Sequence, residues 1–210
     1  VIEKISYDQI YDEHVFLFSI YSVEAIFSKF GLHLFDVEFL QTLGQKEIFS
    51  GIGEMLKVHA IDGPKSFNRI SASYKKILDD PMVMEDFIYQ SLLMKKKLIE
   101  IDEFDQGPRN VMNYGHSFGH AIESATNYGI PHGIAVTIGM DIANYVSVAL
   151  GISDMNHFER MHDVLEKNSY TYNHVKINVD LLLMALVKDK KNSSTQLRLI
   201  LPDKNGNVTI

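Results

Sequence analysis

The sequence predicts a mainly α-helical, multi-helix domain with a short β pair near its C-terminus. Apolar residues recur at helical spacing within residues 84–101, and residues 134–150 are apolar on nearly every side of a helix. In residues 197–201 leucine stands at every second position, as in a strand, and the Asn205-Gly206 pair that follows signals a turn. Long helices followed by a small β element are therefore expected.

Length and composition exclude several classes of protein. At 210 residues with 46% hydrophobic side chains, the chain can bury a core in one large domain or two small ones. Its net charge of -7 argues against a general nucleic-acid surface, because phosphate binding needs concentrated Lys and Arg. The absence of cysteine excludes a disulfide framework and thiolate metal sites, and it fits the reducing cytoplasm in which we expect the protein.

We divide the chain at residue 36. Residues 1–35 are rich in aromatic and aliphatic side chains and predict one or two helices, but they match no pattern that we can place. Residues 36–210 contain all the motifs described below and are expected to form one helical domain.

The segment Gly51-Ile-Gly-Glu-Met-Leu-Lys57 places a carboxylate and an amine on one helix face, since Glu54 and Lys57 are three residues apart. Its glycines allow another backbone to approach closely. From this segment alone, an ordinary surface Glu–Lys pair is the better interpretation. Glu54 is also the best upstream candidate for a third metal ligand beside the histidines described below, because a catalytic zinc site uses three protein ligands and an open position.

The next predicted helix carries a lysine on its apolar face. Lys95 falls in the middle of a stripe formed by Met84, Ile88, Leu92 and Ile99. Such a lysine either extends its amine to the edge of the apolar face or serves a site. The pattern leaves both interpretations open.

Four polar side chains recur at helical spacing after Pro108. If a helix begins there, steps of four, three and four residues put all four on one face. They are Arg109, Asn113, His116 and His120. Polar groups gathered on one face make poor core material, because each buried one needs a partner. Gly115 and Gly119 in the same predicted helix each cost about 1 kcal/mol relative to Ala, which makes sense if another element packs closely against them.

Two histidines of this stripe and a third beyond it predict a metal site. His116 and His120 can bind one metal, or one can bind while the other handles protons. His132 follows Pro131 and precedes the long apolar helix, where a helix N-terminus disfavours imidazolium and keeps the ring neutral for ligation. Surface histidines are the commoner meaning of an isolated pair at this spacing. The third histidine, the paired glycines and the polar stripe favour a metal site.

Residues 134–150 predict a buried central helix. A membrane span is the alternative, but 17 residues that include Thr137, Asp141 and Asn144 are too few and too polar for one. We therefore expect no membrane partner.

Two further helices are expected after the central one. Ser153 predicts the N-cap of the first, on which His157 and His162 are expected at the surface. Residues 181–187 predict the second, which leads into the charge run Asp189-Lys-Lys191. Such a run is ordinarily a solvated helix end.

Several motifs of the chain stand in an order and at a spacing that resemble a known family, the dehydroquinate synthases and related sugar-phosphate cyclases. The resemblance covers residues 36 to 206. The motifs are Phe39-Leu-Gln-Thr42, Gly53-Glu-Met-Leu-Lys57, Lys95 with Asp102-Glu103, Gly107-Pro-Arg-Asn110, Asn113-Tyr-Gly-His-Ser-Phe-Gly-His-Ala-Ile-Glu123, His132-Gly133 and Asp189-Lys-Lys191. The longest of them is specific enough to suggest the family nearly by itself.

The resemblance implies a lyase that depends on NAD and on Zn²⁺, or on another divalent metal such as Co²⁺. The implied reaction is the cyclisation of a seven-carbon keto sugar-acid phosphate to 3-dehydroquinate with loss of phosphate, a step of the shikimate pathway to the aromatic amino acids. The implied fold is the helical C-terminal domain of the family, which binds metal and substrate, and the family suggests homodimers.

The resemblance also assigns roles to individual residues. The implied metal ligands are Glu54, His116 and His132. His120 is the implied proton relay near the metal, and the implied holders of the substrate's carboxylate, hydroxyls and phosphate are Lys57, Lys95, Arg109, Asn113 and Lys190. The implied contact with NAD from the helical side is made by Phe39, Leu40, Gln41 and Thr42. Structurally, Phe39 and Leu40 are better interpreted as core, and both roles are compatible.

Two departures from the family leave alternatives open. Ile134 stands where the family commonly has glutamate after His-Gly, which puts the substrate and the metal affinity in doubt. Gly31 is the only glycine before Gly44, so we expect the Gly-rich turn of an NAD-binding α/β domain to be largely absent and the 210-residue piece to be inactive alone. The alternatives are a sister sugar-phosphate cyclase, a metal-dependent polyol dehydrogenase and a non-catalytic helical metal-binding module.

Overall fold

The structure, a computed structural model, describes residues 43–104, 106–188 and 199–209. Within them the chain forms seven α-helices, two short 3-10 helices and one pair of β-strands. The helices are α1 (Gln45–Asp62), α2 (Pro64–Asp79), α3 (Pro81–Ile101), α4 (His116–Ala125), α5 (His132–Ala149), α6 (Met155–Ser169) and α7 (Val179–Lys188). The 3-10 helices are Pro108–Asn113 and Tyr170–Tyr172, and the strands are β1 (Leu201–Pro202) and β2 (Val208–Thr209). The predicted mainly helical fold with a short C-terminal β pair is confirmed.

Several predictions lie outside the described residues. They concern the helices of residues 1–35, the NAD contacts of Phe39, Leu40, Gln41 and Thr42, and the anion-binding role of Lys190.

The first three helices form a packed unit whose ends follow from local sequence. Gly63, with a φ of 115°, ends α1 and is followed directly by Pro64 at the first position of α2. A positive φ of this size suits glycine, and proline suits a position whose N–H has no partner within the helix. Asp80 caps α3 by accepting a hydrogen bond from the Met82 amide at 2.9 Å. These short connections make α1, α2 and α3 neighbours.

Helix α5 is the central element, as predicted for residues 134–150. It packs against α1, α4 and α6 and contacts β1. Ile134 and Ala135 at its start join Ile122 of α4 and Ile130 in a fully or almost fully buried apolar cluster. In the part of the chain that the structure describes, no helix is long and apolar enough to cross a membrane. The apolar character of α5 therefore reflects its position in a protein core.

The single helix expected from Pro108 through the two histidines is wrong. The chain forms a 3-10 helix to Asn113, turns at Gly115 with a φ of 76°, and begins α4 at His116. A Cβ on Gly115 would lie 2.6 Å from Met140 Cγ of α5, so this residue is held where only glycine fits. The spacing of Arg109 and Asn113 to the histidines is therefore not the spacing of one helical face.

The expectations for α6 also need correction. Its N-cap is Asp154, which accepts from the His157 amide at 2.9 Å, and not Ser153. His157 is buried, contrary to the expected surface position, because it faces Asn144 of α5. His162 is half-buried and contacts Asp141 at 2.9 Å.

The C-terminal β pair is shorter than the sequence pattern suggested. The strands pair antiparallel with Leu201 opposite Thr209, and Gly206 takes a φ of 76° in the turn between them. The predicted alternation began at residue 197, but residues 199 and 200 are irregular and the residues before them lie outside the described ranges. Ser147 of α5 donates a hydrogen bond to the Pro202 carbonyl at 2.6 Å, which anchors the hairpin on the central helix.

Candidate metal centre

Three histidines converge where α4 and α5 begin. His116 is the first residue of α4, His120 lies one turn later, and His132 is the first residue of α5. One ring nitrogen from each lies within 4.8 Å of those of the other two. His116 is buried, His132 is partly buried and His120 is exposed, so the cluster opens to solvent on the side of His120. Among the described residues no other group of His, Asp or Glu side chains is close enough to hold a metal in this way.

Glycines bring α1 against the start of α5. A Cβ on Gly133 would lie 1.9 Å from the Ser50 carbonyl oxygen, and a Cβ on Gly53 would lie 2.1 Å from the Gly133 carbonyl oxygen. The Gly133 amide also donates to Ser50 Oγ at 2.9 Å. The two backbones are therefore in direct contact, which only residues without a side chain permit. Glu54 and His132 adjoin these glycines in sequence and are brought together by this crossing.

Glycines also bring α4 against α5. A Cβ on Gly139 would lie 2.1 Å from the Gly115 carbonyl oxygen, and a Cβ on Gly119 would lie 3.1 Å from Val136 Cα. The close packing predicted for Gly115 and Gly119 is confirmed. This contact holds the first turn of α4, with its two histidines, beside the N-terminus of α5.

Glu54 adds a carboxylate beside the imidazoles. Its Oε1 lies 3.8 Å from His132 Nε2, while its Oε2 contacts Lys57 Nζ at 2.9 Å and Lys95 Nζ at 3.8 Å. Oε1 is buried and has no hydrogen-bond partner among the described residues. A buried carboxylate oxygen without a hydrogen bond is costly, and a bound cation would offset that cost.

The surrounding charges keep Glu54 ionised. Burial by itself raises the pKa of this carboxyl, but the charges of Lys57, Lys95 and His116 and the hydrogen bond from Lys57 outweigh burial and hold the pKa well below its usual range. The carboxylate is therefore available as a metal ligand throughout the physiological pH range.

The two lysines are placed differently from ordinary surface lysines. Lys57 is only 3% exposed, and its Nζ lies 2.9 Å from Glu54 and 3.5 Å from His116 Nε2. The interpretation of Glu54 and Lys57 as a surface pair is wrong, because α1 is covered by α5 at this point. Lys95 Nζ lies 3.8 Å from Glu54 Oε2, and the role of Lys95 in a site stays a prediction.

Arg109 and Asn113 lie on the 3-10 helix that packs against α1 and α3. Arg109 Nη1 donates to the Glu103 carbonyl at 2.9 Å, and Asn113 Nδ2 donates to the Asn110 carbonyl at 3.0 Å. Asp102 accepts from three amides of the same loop, including that of Arg109 at 3.2 Å. These bonds order the loop, and the substrate-binding roles of Arg109 and Asn113 stay predictions.

Sequence reasoning missed one residue that contacts this cluster. Glu123 of α4 places Oε1 3.1 Å from His132 Nδ1. Glu123 is the last residue of the motif that begins at Asn113, and the sequence assigned it no role, although its position three residues after His120 puts it on the same helix face. The structure also shows where the departure at Ile134 lies: its side chain is fully buried in the apolar cluster with Ile122 and Ile130.

The side chains present fit a divalent metal. A carboxylate and two imidazoles are ligands that Zn²⁺ accepts, with a fourth position left open in catalytic sites. The resemblance assigned Glu54, His116 and His132, whereas the tightest set in the structure is the three histidines with Glu54 adjoining His132. Either set fits the chemistry, and the buried Oε1 of Glu54 favours including the carboxylate.

The sequence of this region matches a known family. The family described as 3-dehydroquinate synthase C-terminal matches residues 51–192, which contain Glu54 and all three histidines. The chain belongs to the 3-dehydroquinate synthase family.

Two relatives in this synthase family match most of the chain. The chain is 35% identical over 176 residues to the 3-dehydroquinate synthase of Dehalococcoides mccartyi, a match that covers 83% of the chain and 49% of the relative. It is 35% identical over 179 residues to that of Dictyoglomus thermophilum, covering 84% of the chain and 50% of the relative. The chain thus spans about half the length of the curated relatives that it matches.

Solved structures share the fold of the synthase family's helical domain. One is a 2-deoxy-scyllo-inosose synthase complexed with carbaglucose-6-phosphate, NAD+ and Co²⁺, with a TM-score of 0.67, 22% identity, and coverage of 83% of this chain and 50% of that one. Another is the 2-epi-5-epi-valiolone synthase ValA of Streptomyces hygroscopicus with NAD+ and Zn²⁺ bound, with a TM-score of 0.70, 21% identity, and coverage of 85% and 50%. At this level of identity the likeness concerns the fold.

Proposed function

We propose that this chain is the metal- and substrate-binding part of a 3-dehydroquinate synthase-like cyclase. In this proposal the complete enzyme uses NAD and a divalent metal to cyclise a keto sugar-acid phosphate, with elimination of phosphate, as a carbon–oxygen lyase of the cytoplasmic shikimate pathway. The observation that carries the proposal is the buried Glu54 Oε1, which lacks a hydrogen-bond partner among the described residues and faces His132 beside two further imidazoles.

The metal would be held by Glu54, His116 and His132. A divalent cation bound there supplies Lewis acidity, which raises the acidity of substrate hydroxyls. The contacts at Gly53 and Gly133 fix the spacing of the carboxylate and the imidazole, so this chain needs little rearrangement to bind the ion.

The lysines give an acidic protein a local positive field. The Nζ atoms of Lys57 and Lys95 lie 2.9 Å and 3.8 Å from Glu54 Oε2, at the buried side of the cluster. An anionic substrate would be attracted to this point despite the net charge of -7, because a cleft concentrates the field of its own charges. Arg109, Asn113 and Lys190 are proposed to complete the binding of the carboxylate and phosphate.

His120 is proposed to move protons. It is the exposed member of the cluster, and its ring centroid lies 5.3 Å from that of His116 and 5.6 Å from that of His132. An imidazole in this position can take a proton from a bound hydroxyl and exchange it with solvent.

NAD enters the proposal through relatives and through residues 39–42. Two solved structures of the same fold carry NAD+ together with Co²⁺ or Zn²⁺. The nicotinamide would supply reversible hydride transfer at a substrate carbon. Phe39, Leu40, Gln41 and Thr42 are the proposed contacts on this chain, and a homodimer is the proposed assembly.

The metal part of the proposal is tested by zinc stoichiometry. Wild type is expected to retain one zinc per chain after dialysis, and His116→Ala to retain none, because loss of one of three protein ligands removes most of the affinity. His174→Ala is the control, since His174 is exposed and stacks on Tyr172. Full retention of zinc by His116→Ala would refute the ligand assignment.

The catalytic part is tested by phosphate release from the seven-carbon keto sugar-acid phosphate and from other sugar phosphates, in the presence of NAD. Each assay uses the chain alone and the chain mixed with the separately produced N-terminal half of the Dictyoglomus relative. Release only in the mixture, and only from the sugar-acid phosphate, supports the proposal. Release from another sugar phosphate indicates a sister cyclase, and zinc binding without release indicates a non-catalytic module.

A further inference from the structure

His132 is contacted by carboxylates on both sides of its ring. Its Nδ1 lies 3.1 Å from Glu123 Oε1, and its Nε2 lies 3.8 Å from Glu54 Oε1. The two carboxylates come from different helices, α4 and α1, and reach the ring from opposite edges. They differ in geometry: the Nδ1 contact has hydrogen-bond length, whereas the Nε2 contact is too long for one.

The Nδ1 contact decides which nitrogen can bind a metal. An ionised carboxylate only accepts hydrogen bonds, so Nδ1 must carry the proton that joins it to Glu123. In the neutral ring with hydrogen on Nδ1, the lone pair is on Nε2. Nε2 is the nitrogen that faces Glu54. Glu123 therefore selects the form of His132 whose Nε2 lone pair faces Glu54.

The buried position of Glu123 suits this role, because its carboxylate needs the hydrogen bond to His132. Glu123 is only 8% exposed, and a buried carboxylate destabilises a fold unless it has a hydrogen-bonded partner. It is held in α4 within the helix that also presents His116 and His120, while its neighbour Ile122 enters the apolar core. The contact with Glu123 therefore fixes the ring of His132, at the start of α5, relative to His116 and His120 of α4.

Residue 134, two positions after His132, is isoleucine and supplies no carboxylate to the ring. Ile134 is fully buried in the apolar cluster with Ile130 and Ala135, on the core side of α5. A metal ligand is stronger and better oriented when its second nitrogen is hydrogen-bonded to a carboxylate. In this chain that carboxylate is supplied by α4.

We propose that Glu123 is a positioning residue of the metal centre, which fixes the orientation and tautomer of His132 and strengthens it as a ligand. The inference rests on the metal site of the proposed function. It goes beyond that proposal because it assigns a role to a residue that touches neither metal nor substrate.

The first experiment measures Zn²⁺ affinity of the full chain by competition with a chromophoric chelator. Glu123→Ala is expected to bind Zn²⁺ about 10- to 100-fold more weakly than wild type, the usual effect of losing such a partner. Glu123→Gln is expected to lose less, since its amide oxygen still accepts from Nδ1. The Co²⁺ absorption spectrum should change in Glu123→Ala and be largely restored in Glu123→Gln.

The matched control is Asp141→Asn. Asp141 of α5 contacts His162 Nδ1 at 2.9 Å, so this variant weakens a carboxylate–histidine pair of similar geometry away from the cluster. It should bind Zn²⁺ like wild type. Thermal unfolding of the metal-free variants separates the effects: equal affinity of Glu123→Ala and wild type overturns the proposal, as does a loss of affinity that Asp141→Asn reproduces.

A second measurement follows the proton itself. In the zinc-loaded wild type, NMR should detect a slowly exchanging Nδ1–H proton of His132, which Glu123→Gln retains and Glu123→Ala loses. An unchanged resonance in Glu123→Ala overturns the proposal. If wild type binds no Zn²⁺, the proposed metal site and this inference fail together, whereas zinc binding that is insensitive to Glu123 refutes this inference alone.

Discussion

His132 and His157 are both held on the two edges of their rings, but in regions of opposite character. His132 lies at the metal-site crossing of α1, α4 and α5, between the carboxylates of Glu54 and Glu123. His157 lies between α5 and α6, with Nε2 3.4 Å from Asn144 Oδ1 and Nδ1 2.8 Å from Arg160 Nη2. A cation placed at His132 meets negative charge, whereas a cation placed at His157 meets a guanidinium.

Burial of a histidine does not by itself indicate a metal site. Burial, with a smaller contribution from Arg160, lowers the pKa of His157 to about 4, so this ring is neutral and accepts a hydrogen bond from the guanidinium. Tyr114 donates to the same Asn144, which closes a polar network within the core. That network stabilises the fold. The crossing at His132 instead leaves a carboxylate oxygen of Glu54 with no hydrogen-bond partner among the residues described.

The largest expected effect comes from separating α1 from α5. Gly133→Ala should lower the free energy of unfolding by about 3 kcal/mol or more and abolish zinc binding, because the new Cβ would lie 1.9 Å from the Ser50 carbonyl oxygen. Urea denaturation and zinc stoichiometry measure the two effects. Gly51→Ala is the matched control on α1: apart from its chain neighbours and the nearby backbone of α1, no described atom lies within 4 Å of the added Cβ, so stability should rise by up to about 1 kcal/mol. If Gly133→Ala is as stable as wild type, the backbones of α1 and α5 are not in direct contact at this point.

A smaller effect is expected from protonation of the buried histidines outside the metal centre. The pKa values of His157 and His59 are lowered by burial from 6.5 to about 4. Each ring binds a proton more readily in the unfolded chain, so its stabilising contribution is complete above pH 6.5 and is lost as the pH falls toward 4. The slope should approach about 1.4 kcal/mol per pH unit for each histidine.

Urea denaturation of the metal-free chain between pH 6.5 and about 4 measures this slope. His157→Gln should remove the contribution of one histidine to the slope and leave zinc binding at neutral pH unchanged, whereas His174→Gln at an exposed position should leave the slope as it is. A slope that His157→Gln does not reduce would contradict the assignment of a neutral buried ring. Glu54 adds to the slope at the acid end of this window, because its pKa is lowered from 4.5 on folding and its carboxyl is protonated first in the unfolded chain.

The smallest effect is expected at the N-cap of α6. Asp154→Ala should lower the free energy of unfolding by about 1 kcal/mol, since the His157 amide loses its acceptor, and Asp154→Asn should preserve most of the stability. Zinc affinity should stay at the wild-type value in both variants, because α6 carries no residue of the metal centre. Thermal unfolding and chelator competition test both statements. A fall in zinc affinity for Asp154→Ala would mean that the two regions are coupled.

Much of the fold was predictable because its cause is local. The central helix was expected from the continuous apolar run of residues 134–150, and the final turn from Asn205-Gly206. The break before His116 was not predicted, because α-helical periodicity is compatible with the sequence there. The break is imposed by the approach of α5, which only the packed chain reveals.

The residue types of the candidate site could be predicted from the sequence, but most contacts between its side chains could not. The spacing of His116 and His120 and the position of His132 indicated a metal centre, and the resemblance added Glu54. The surface interpretation of Glu54 and Lys57 was wrong because burial depends on which helix covers α1. Glu123 received no role because its partner comes from the next helix, and hydrogen bonds between helices leave no periodic signal in a sequence.

The sequence by itself determined that this chain is mainly helical, that it has the motifs of the 3-dehydroquinate synthase family, and which imidazoles and carboxylates are available as ligands. Only the tertiary structure decided that the three histidines converge, that Lys57 is buried beside them, and that Glu123 contacts His132. The reason is physical: helix formation depends on neighbours within a few residues, whereas a metal centre depends on where glycine backbones allow separate helices to touch.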